Sequence, residues 1–207
     1  VVVFLLPFLA VMAAAMVSGA FKGEIEWLYP LRFFAAAGVL WHYRAEYRRL
    51  NWRVSWVGAA VGLVVFALWV GLDRALGIET ASGTAAGMGA LSGSARYAWL
   101  FFRVLAAVVT VPIAEELAFR GFLLRRLASA DFESVSCRKF VPVAFAISCL
   151  AFGVLHGDRW VAGTLAGAAY AAVFLRRGSI GDAALAHGVT NAALAWWVLS
   201  TGAWELW

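Results

Sequence analysis

The chain has 207 residues, of which 64% are hydrophobic and only 14% charged. A soluble domain is about one-quarter charged, and one of this length could not cover so much apolar surface, which excludes an ordinary globular enzyme. The net charge of +5 sits mostly in short Arg-rich loops, a pattern of membrane orientation and not of nucleic-acid binding.

The fold class expected is an all-α polytopic membrane protein with about seven to eight transmembrane helices. Lipid admits only helices and closed barrels, and no barrel-like alternation is present. A crossing takes about 20 apolar residues. The first segment, "VVVFLLPFLAVMAAAMVSGA" (1–20), has no basic stretch before its apolar run and reads as a span, not a signal peptide. The chain starts at Val1 with no Met, so native residues are expected upstream.

Further spans are placed at 27–42, 54–72, 97–124, 140–156, 160–175 and 180–203. Between the third and fourth lies the loop Asp73–Arg96, whose "TASGTAAGMGALSGS" reads as flexible and solvent-exposed. No domain boundary shows, so 1–207 is one integral-membrane domain. Cys137 and Cys149 form no framework and are assigned neither a disulfide nor a metal.

The charges choose a side. Arg44, Arg48, Arg49 and Arg53 share one loop, Arg125, Arg126, Arg138 and Lys139 a second, and Arg176 and Arg177 a third. With seven spans, all three loops fall on one face, which the positive-inside rule makes cytoplasmic together with the N-terminus of the chain. Trp27, Trp69, Trp99, Trp160 and Trp204 are then expected as an outer interfacial belt, and Trp41, Trp52 and Trp56 as an inner one. His42, next to the basic loop, reads as an interface residue.

Ionisable groups inside a bilayer cost about 2.5–3.5 kcal/mol each on insertion scales and turn toward an interior or a cavity. Those not explained by loops or belts are Glu115, Glu116 and Arg120 in the fourth span, His156 ending the fifth, and Asp182, His187 and Asn191 in the seventh. Glu116 and Arg120 stand four apart with the acid first, the favourable order for a helical ion pair, and read as structural. Glu115 is turned by about 100° from Glu116 and needs partners from other helices. The candidates are His156, His187 and Asn191. Such a set can activate water, with a Glu as base and His and Asn holding an oxyanion; a Glu with two His is also a zinc set.

Counting helical rise from the basic loops puts Glu115 and His187 about 15 Å deep, but His156 about 26 Å deep. The fifth span is therefore expected to start after Lys139, with "ASADFESVSCRK" before it as a surface helix. Gly153/Gly157 and Gly163/Gly167 are expected to bring the fifth and sixth helices close to their neighbours. No inverted repeat appears, which argues against a transporter.

Three segments carry a family resemblance. "EELAFR" resembles the E-E-x-x-x-R motif, "FGVLH" the F-x-x-x-H motif and "HGVTN" the H-x-x-x-N motif of the CAAX protease and bacteriocin-processing family of intramembrane proteases, in the family's order. The resemblance places the core in 97–203 and implies an intramembrane endopeptidase acting near the C-terminus of a membrane-associated protein or peptide. It implies Glu115 and His156 as the water-activating pair, His187 and Asn191 as the oxyanion hole, and Glu116 with Arg120 as support. It favours glutamate catalysis without a cofactor; zinc on Glu115, His156 and His187 ranks second, and a non-catalytic scaffold or immunity-type protein is the alternative from another class. "GEIEWLYPLRFFAAAGVLWHYR" and "AFGVLHGDRWVAGTLAGAAYA" look like the exosortase-associated branch. That likeness implies a bacterial inner membrane, membrane lipids and an exosortase as partners, and a C-terminal sorting signal or a prenylated tail as substrate.

Overall fold

The computed structural model describes all residues except Lys22, Glu24 and 79–83, with backbone alone at Ala85, Ala86 and Ala90. Seven long helices account for the seven expected spans: α1 Val2–Ala20, α2 Pro30–His42, α3 Trp56–Leu76, α4 Gly93–Arg126, α5 Pro142–Val154, α6 Trp160–Arg177 and α7 Ile180–Thr201. No strand occurs among the described residues. By length and composition α1, α3 and α4 can each cross a membrane, and α5 is a shorter apolar helix.

The less apolar helices are the inner ones. Half of α7 is buried, and α7 packs against α3, α6 and the middle of α4, while α5 and α6 form a hairpin, as do α1 and α2. Helices surrounded by protein need no lipid-facing apolar surface, so α6 and α7 can carry Gly, Ala and polar residues. The outer helices expose large apolar side chains instead, among them Met16, Val64, Val143 and Val154 at 59–77%. Such a surface suits lipid, and the protein is an integral membrane protein.

Close approach depends on a few glycines. A Cβ at Gly62 of α3 would collide with the Ala186 carbonyl of α7, and one at Gly58 would lie 2.8 Å from the Asp182 carbonyl. A Cβ at Gly153 would strike Thr164, and one at Gly167 would lie 3.1 Å from the Phe152 ring, so these two let α5 and α6 touch as expected. Gly157 does not share that role. Nothing lies near its Cβ position, and its φ of 56° instead lets the chain reverse after His156.

Several expectations are corrected. The loop after α3 is not flexible and exposed throughout: Thr84–Ala90 is helical, and Met88 and Leu91 are buried with Ile25, Tyr29 and Trp99. Residues 80–83 of the expected flexible stretch lie outside the described residues. Trp99 is 4% exposed and donates its indole N–H to the Glu26 carbonyl, so it is a packing residue. Trp69 likewise turns inward onto His156, with ring centroids 5.4 Å apart. Trp27, Trp41, Trp56 and Trp160 do stand exposed.

The fifth helix starts at Pro142, three residues past Lys139, but no surface helix precedes it; the connection holds only the short turn Phe132–Ser134. Depth is settled by length. α5 has 13 residues and ends before His156, where the turn Gly157–Arg159 sends the chain back into α6. Arg159 pins that turn to Asp73 at the end of α3, at 2.7 Å.

Asp182 is explained by the fold and not by a site. Its Oδ1 accepts from the backbone N–H and hydroxyl of Ser55, capping the start of α3, and its Oδ2 meets Arg177 at 3.0 Å.

Candidate active site

A single helix, α4, supplies three of the predicted residues, and its backbone is irregular on both sides of them. Ala106–Thr110 and Leu117–Leu123 are π-helical, with Val111–Glu116 as α-helix between. Pro112 explains the first irregularity, because it has no N–H to give and crowds the turn before it. Val111 directs its N–H to the Ala106 carbonyl. The Ala107 carbonyl, five residues before Pro112, is thereby left without the N–H of a regular π turn. Asn191 of α7 takes it, donating from Nδ2 at 2.7 Å. The same irregular turn lets α7 come near, since a Cβ at Gly188 would lie 2.8 Å from the Val108 carbonyl.

Glu116 is fully buried. Its Oε1 accepts from Arg120 Nη1 at 3.1 Å and lies 3.0 Å from His187 Nδ1. The expected pair with Arg120 is present, and Arg120 also donates to the Gly167 carbonyl at 2.7 Å and lies over the Phe152 ring at 4.5 Å. The Glu116–Arg120 pair thus joins α4, α6 and α7.

Glu115 points elsewhere, as its offset from Glu116 requires. It is 8% exposed, and its Oε2 is buried without a hydrogen-bond partner. The nearest cationic candidate is His187 Nε2, 3.9 Å away, outside hydrogen-bonding range but close enough for an oxygen atom to sit between the two. His156 follows Phe152 by four residues and places Nδ1 2.8 Å from the Phe152 carbonyl. A carbonyl only accepts, so Nδ1 carries the proton, and in the neutral ring Nε2 is the free acceptor. Gly163 presses on the other side of this ring, where a Cβ would lie 2.9 Å from Nδ1.

Glu115, His156, His187 and Asn191 line one cavity of about 480 Å³, together with Trp69 and Tyr170. The structure therefore brings all four predicted residues to one space, on two helices and the turn after a third. Among the described residues, however, no three His, Cys, Asp or Glu side chains are grouped as metal donors. Glu115, His156 and His187 share a cavity, not a coordination sphere. His42 meets its neighbour Tyr43 edge-on and does not line the cavity, and neither cysteine is bonded.

Supporting residues beyond the motifs are also apparent. Tyr170 stacks on His187 with centroids 4.8 Å apart and planes at 16°. Its hydroxyl donates to Thr190 Oγ1 at 2.8 Å, and Thr190 donates on to the Gly62 carbonyl at 2.9 Å. A lone Tyr in the Ala-rich "AGAAYAAV" and a Pro just before two acids were the available signals for Tyr170 and Pro112.

Comparison with known proteins gives one match. Residues 97–193 fit the family described as type II CAAX prenyl endopeptidase Rce1-like. No curated protein and no solved structure matches the chain significantly.

Proposed function

Because residues 97–193 match the family described as type II CAAX prenyl endopeptidase Rce1-like, we propose that the chain is an intramembrane endopeptidase that uses Glu115 to activate water and cleaves near the C-terminus of a membrane-associated protein. The observation carrying this reading is the unpartnered Glu115 carboxylate facing His187 Nε2 across 3.9 Å at the wall of the cavity.

The chemistry follows from the protons. Glu115 takes one from a water held between itself and His156, whose Nε2 can accept the water's other hydrogen bond. The resulting hydroxide attacks the scissile carbonyl, and the C–O bond forms as the carbonyl π electrons move to oxygen. In this reading both ring nitrogens of His187 act as donors. Its Nδ1–H is held by Glu116, and its Nε2–H donates to the oxyanion. Asn191 has a second amide N–H left after serving the Ala107 carbonyl and supplies the other donor. When the tetrahedral intermediate collapses, the C–N bond breaks and Glu115 returns its proton to the departing amine.

The Arg-rich loops support a cytoplasmic placement of the face to which Arg126 and Arg177 point, in a bacterial inner membrane. The likeness of 23–44 to exosortase-associated proteins makes a C-terminal sorting signal the substrate to try first, and a prenylated tail the second. The test is co-expression with tagged candidate substrates of both kinds, with cleavage mapped by mass spectrometry. A cut present with the wild-type chain and lost with Glu115→Gln supports the reading; no cut in either set, with the chain folded in the membrane, contradicts it.

A further inference from the structure

The cavity has a second charged end. Besides the Glu115 wall it is lined by Glu26, Tyr29, Arg32, Arg103 and Trp207. Glu26 is already served there: Arg32 Nη2 reaches both of its oxygens at 2.7 and 2.9 Å, and Ser18 donates to it at 3.1 Å. Arg103 is the remaining cation. It is 8% exposed, makes no ion pair or side-chain hydrogen bond among the described residues, and its Nε is buried without a partner. Three rings hold the guanidinium in place: Tyr29 at 4.3 Å, Trp207 at 4.6 Å and Trp99 at 5.2 Å.

Ring faces stabilise a cation but accept few of its hydrogen bonds, and a buried guanidinium with five donors calls for an anion. The charged side chains lining this end are two arginines and one glutamate, and Arg32 already holds the glutamate. The far end holds Glu115 and His187, beyond the Glu116–Arg120 pair. Arg103 and Glu115 lie on one helix, and their spacing in sequence corresponds to about 18 Å of helical rise. An extended peptide covers that distance in about five residues.

We propose that Arg103 binds the terminal carboxylate of the substrate peptide and so sets the distance from the C-terminus at which the chain is cut. This rests on the protease reading above, but it concerns where the substrate ends and not how the bond breaks. Tyr29, Trp99 and Trp207 hold the guanidinium in position for the anion. A peptide whose C-terminus is blocked loses the charge-assisted bonds and keeps only its apolar contacts with the cavity wall.

The test is a binding measurement that needs no turnover. The Glu115→Gln chain in nanodiscs of zwitterionic lipid is titrated with dansyl-pentaalanine as the free acid or the C-terminal amide, read by energy transfer from tryptophan. The free acid should bind about tenfold or more tightly than the amide. Arg103→Gln should erase that preference and Arg103→Lys keep part of it, with thermal unfolding followed for each. Should Arg103→Gln fail to fold, the acid-to-amide ratio of the Arg103 protein and the Lys variant still decide. Equal affinity for acid and amide, within about twofold, overturns the proposal. If added phosphatidylglycerol then competes for the site, the anion it holds is a lipid phosphate. A folded protein that prefers the acid but cleaves nothing would remove the protease reading and leave the carboxylate site standing. Cleavage with no such preference would do the reverse.

Discussion

His187 and Arg120 share one oxygen of Glu116, at 3.0 and 3.1 Å. The second acid of the pair is therefore a support for the histidine as well as a partner of the arginine. Fixing Nδ1 of His187 from behind leaves Nε2 directed toward Glu115. The two adjacent carboxylates thus face the same imidazole from opposite nitrogens.

Glu116→Ala should be mainly a stability defect. It strands Arg120, which is 1% exposed, and frees His187 to rotate. Breaking a buried pair from one side costs about 3–5 kcal/mol. Thermal unfolding in detergent should show a large loss, and replacing Arg120 by Met in the same protein should recover part of it, because no buried charge is then left unpaired.

Asn191→Ala should lower kcat by about 10²–10³ with little change in KM, the signature of a donor that acts on the oxyanion. Pro112→Ala tests the same donor indirectly. Alanine supplies an N–H that can compete for the Ala107 carbonyl, which Asn191 now serves at 2.7 Å. We expect kcat to fall by less than the about 10²–10³ of full removal, with no loss of stability. Unchanged kcat in both variants would assign Asn191 to packing alone.

Gly163→Ala should damage the site through His156. The added methyl would sit 2.9 Å from Nδ1, the atom that bonds to the Phe152 carbonyl. Overpacking of this kind costs about 1–3 kcal/mol. Activity should drop further than stability implies, measured as residual turnover in the fraction that remains folded.

Metal dependence separates the glutamate mechanism from the zinc alternative. With catalysis by Glu115 alone, o-phenanthroline should leave the rate unchanged and the purified protein should contain far less than stoichiometric zinc. Stoichiometric zinc, with chelator-sensitive turnover restored by adding the metal, would reverse the choice.

Much of this was legible in the chain because membrane helices must announce themselves. Seven apolar runs became seven helices, and the polar residues left over in them, apart from Asp182, converge on the cavity or bind one another. The Glu116–Arg120 pair followed from spacing four, and the different direction of Glu115 from spacing one. What stayed hidden depends on the backbone. Helical counting assumes a uniform rise, so it could not register the π turns around Glu115 and Glu116, nor the early end of α5 that resolves the depth of His156. Tryptophan was read by its usual interfacial habit, which missed Trp69 and Trp99 because their inward packing depends on neighbours distant in sequence. Arg103 was passed over for a similar reason. It lies inside the expected fourth span but was not singled out there, and the three aromatic rings around it show that it is buried.

The central claim is that Glu115 is the base. The most direct measurement is single-turnover cleavage of a mapped substrate by wild type and Glu115→Gln, purified in nanodiscs and matched for thermal unfolding. The account predicts a loss of about 10²–10⁴ in the rate of the chemical step, with the melting temperature preserved. A folded Glu115→Gln protein that cleaves at the wild-type rate would contradict it.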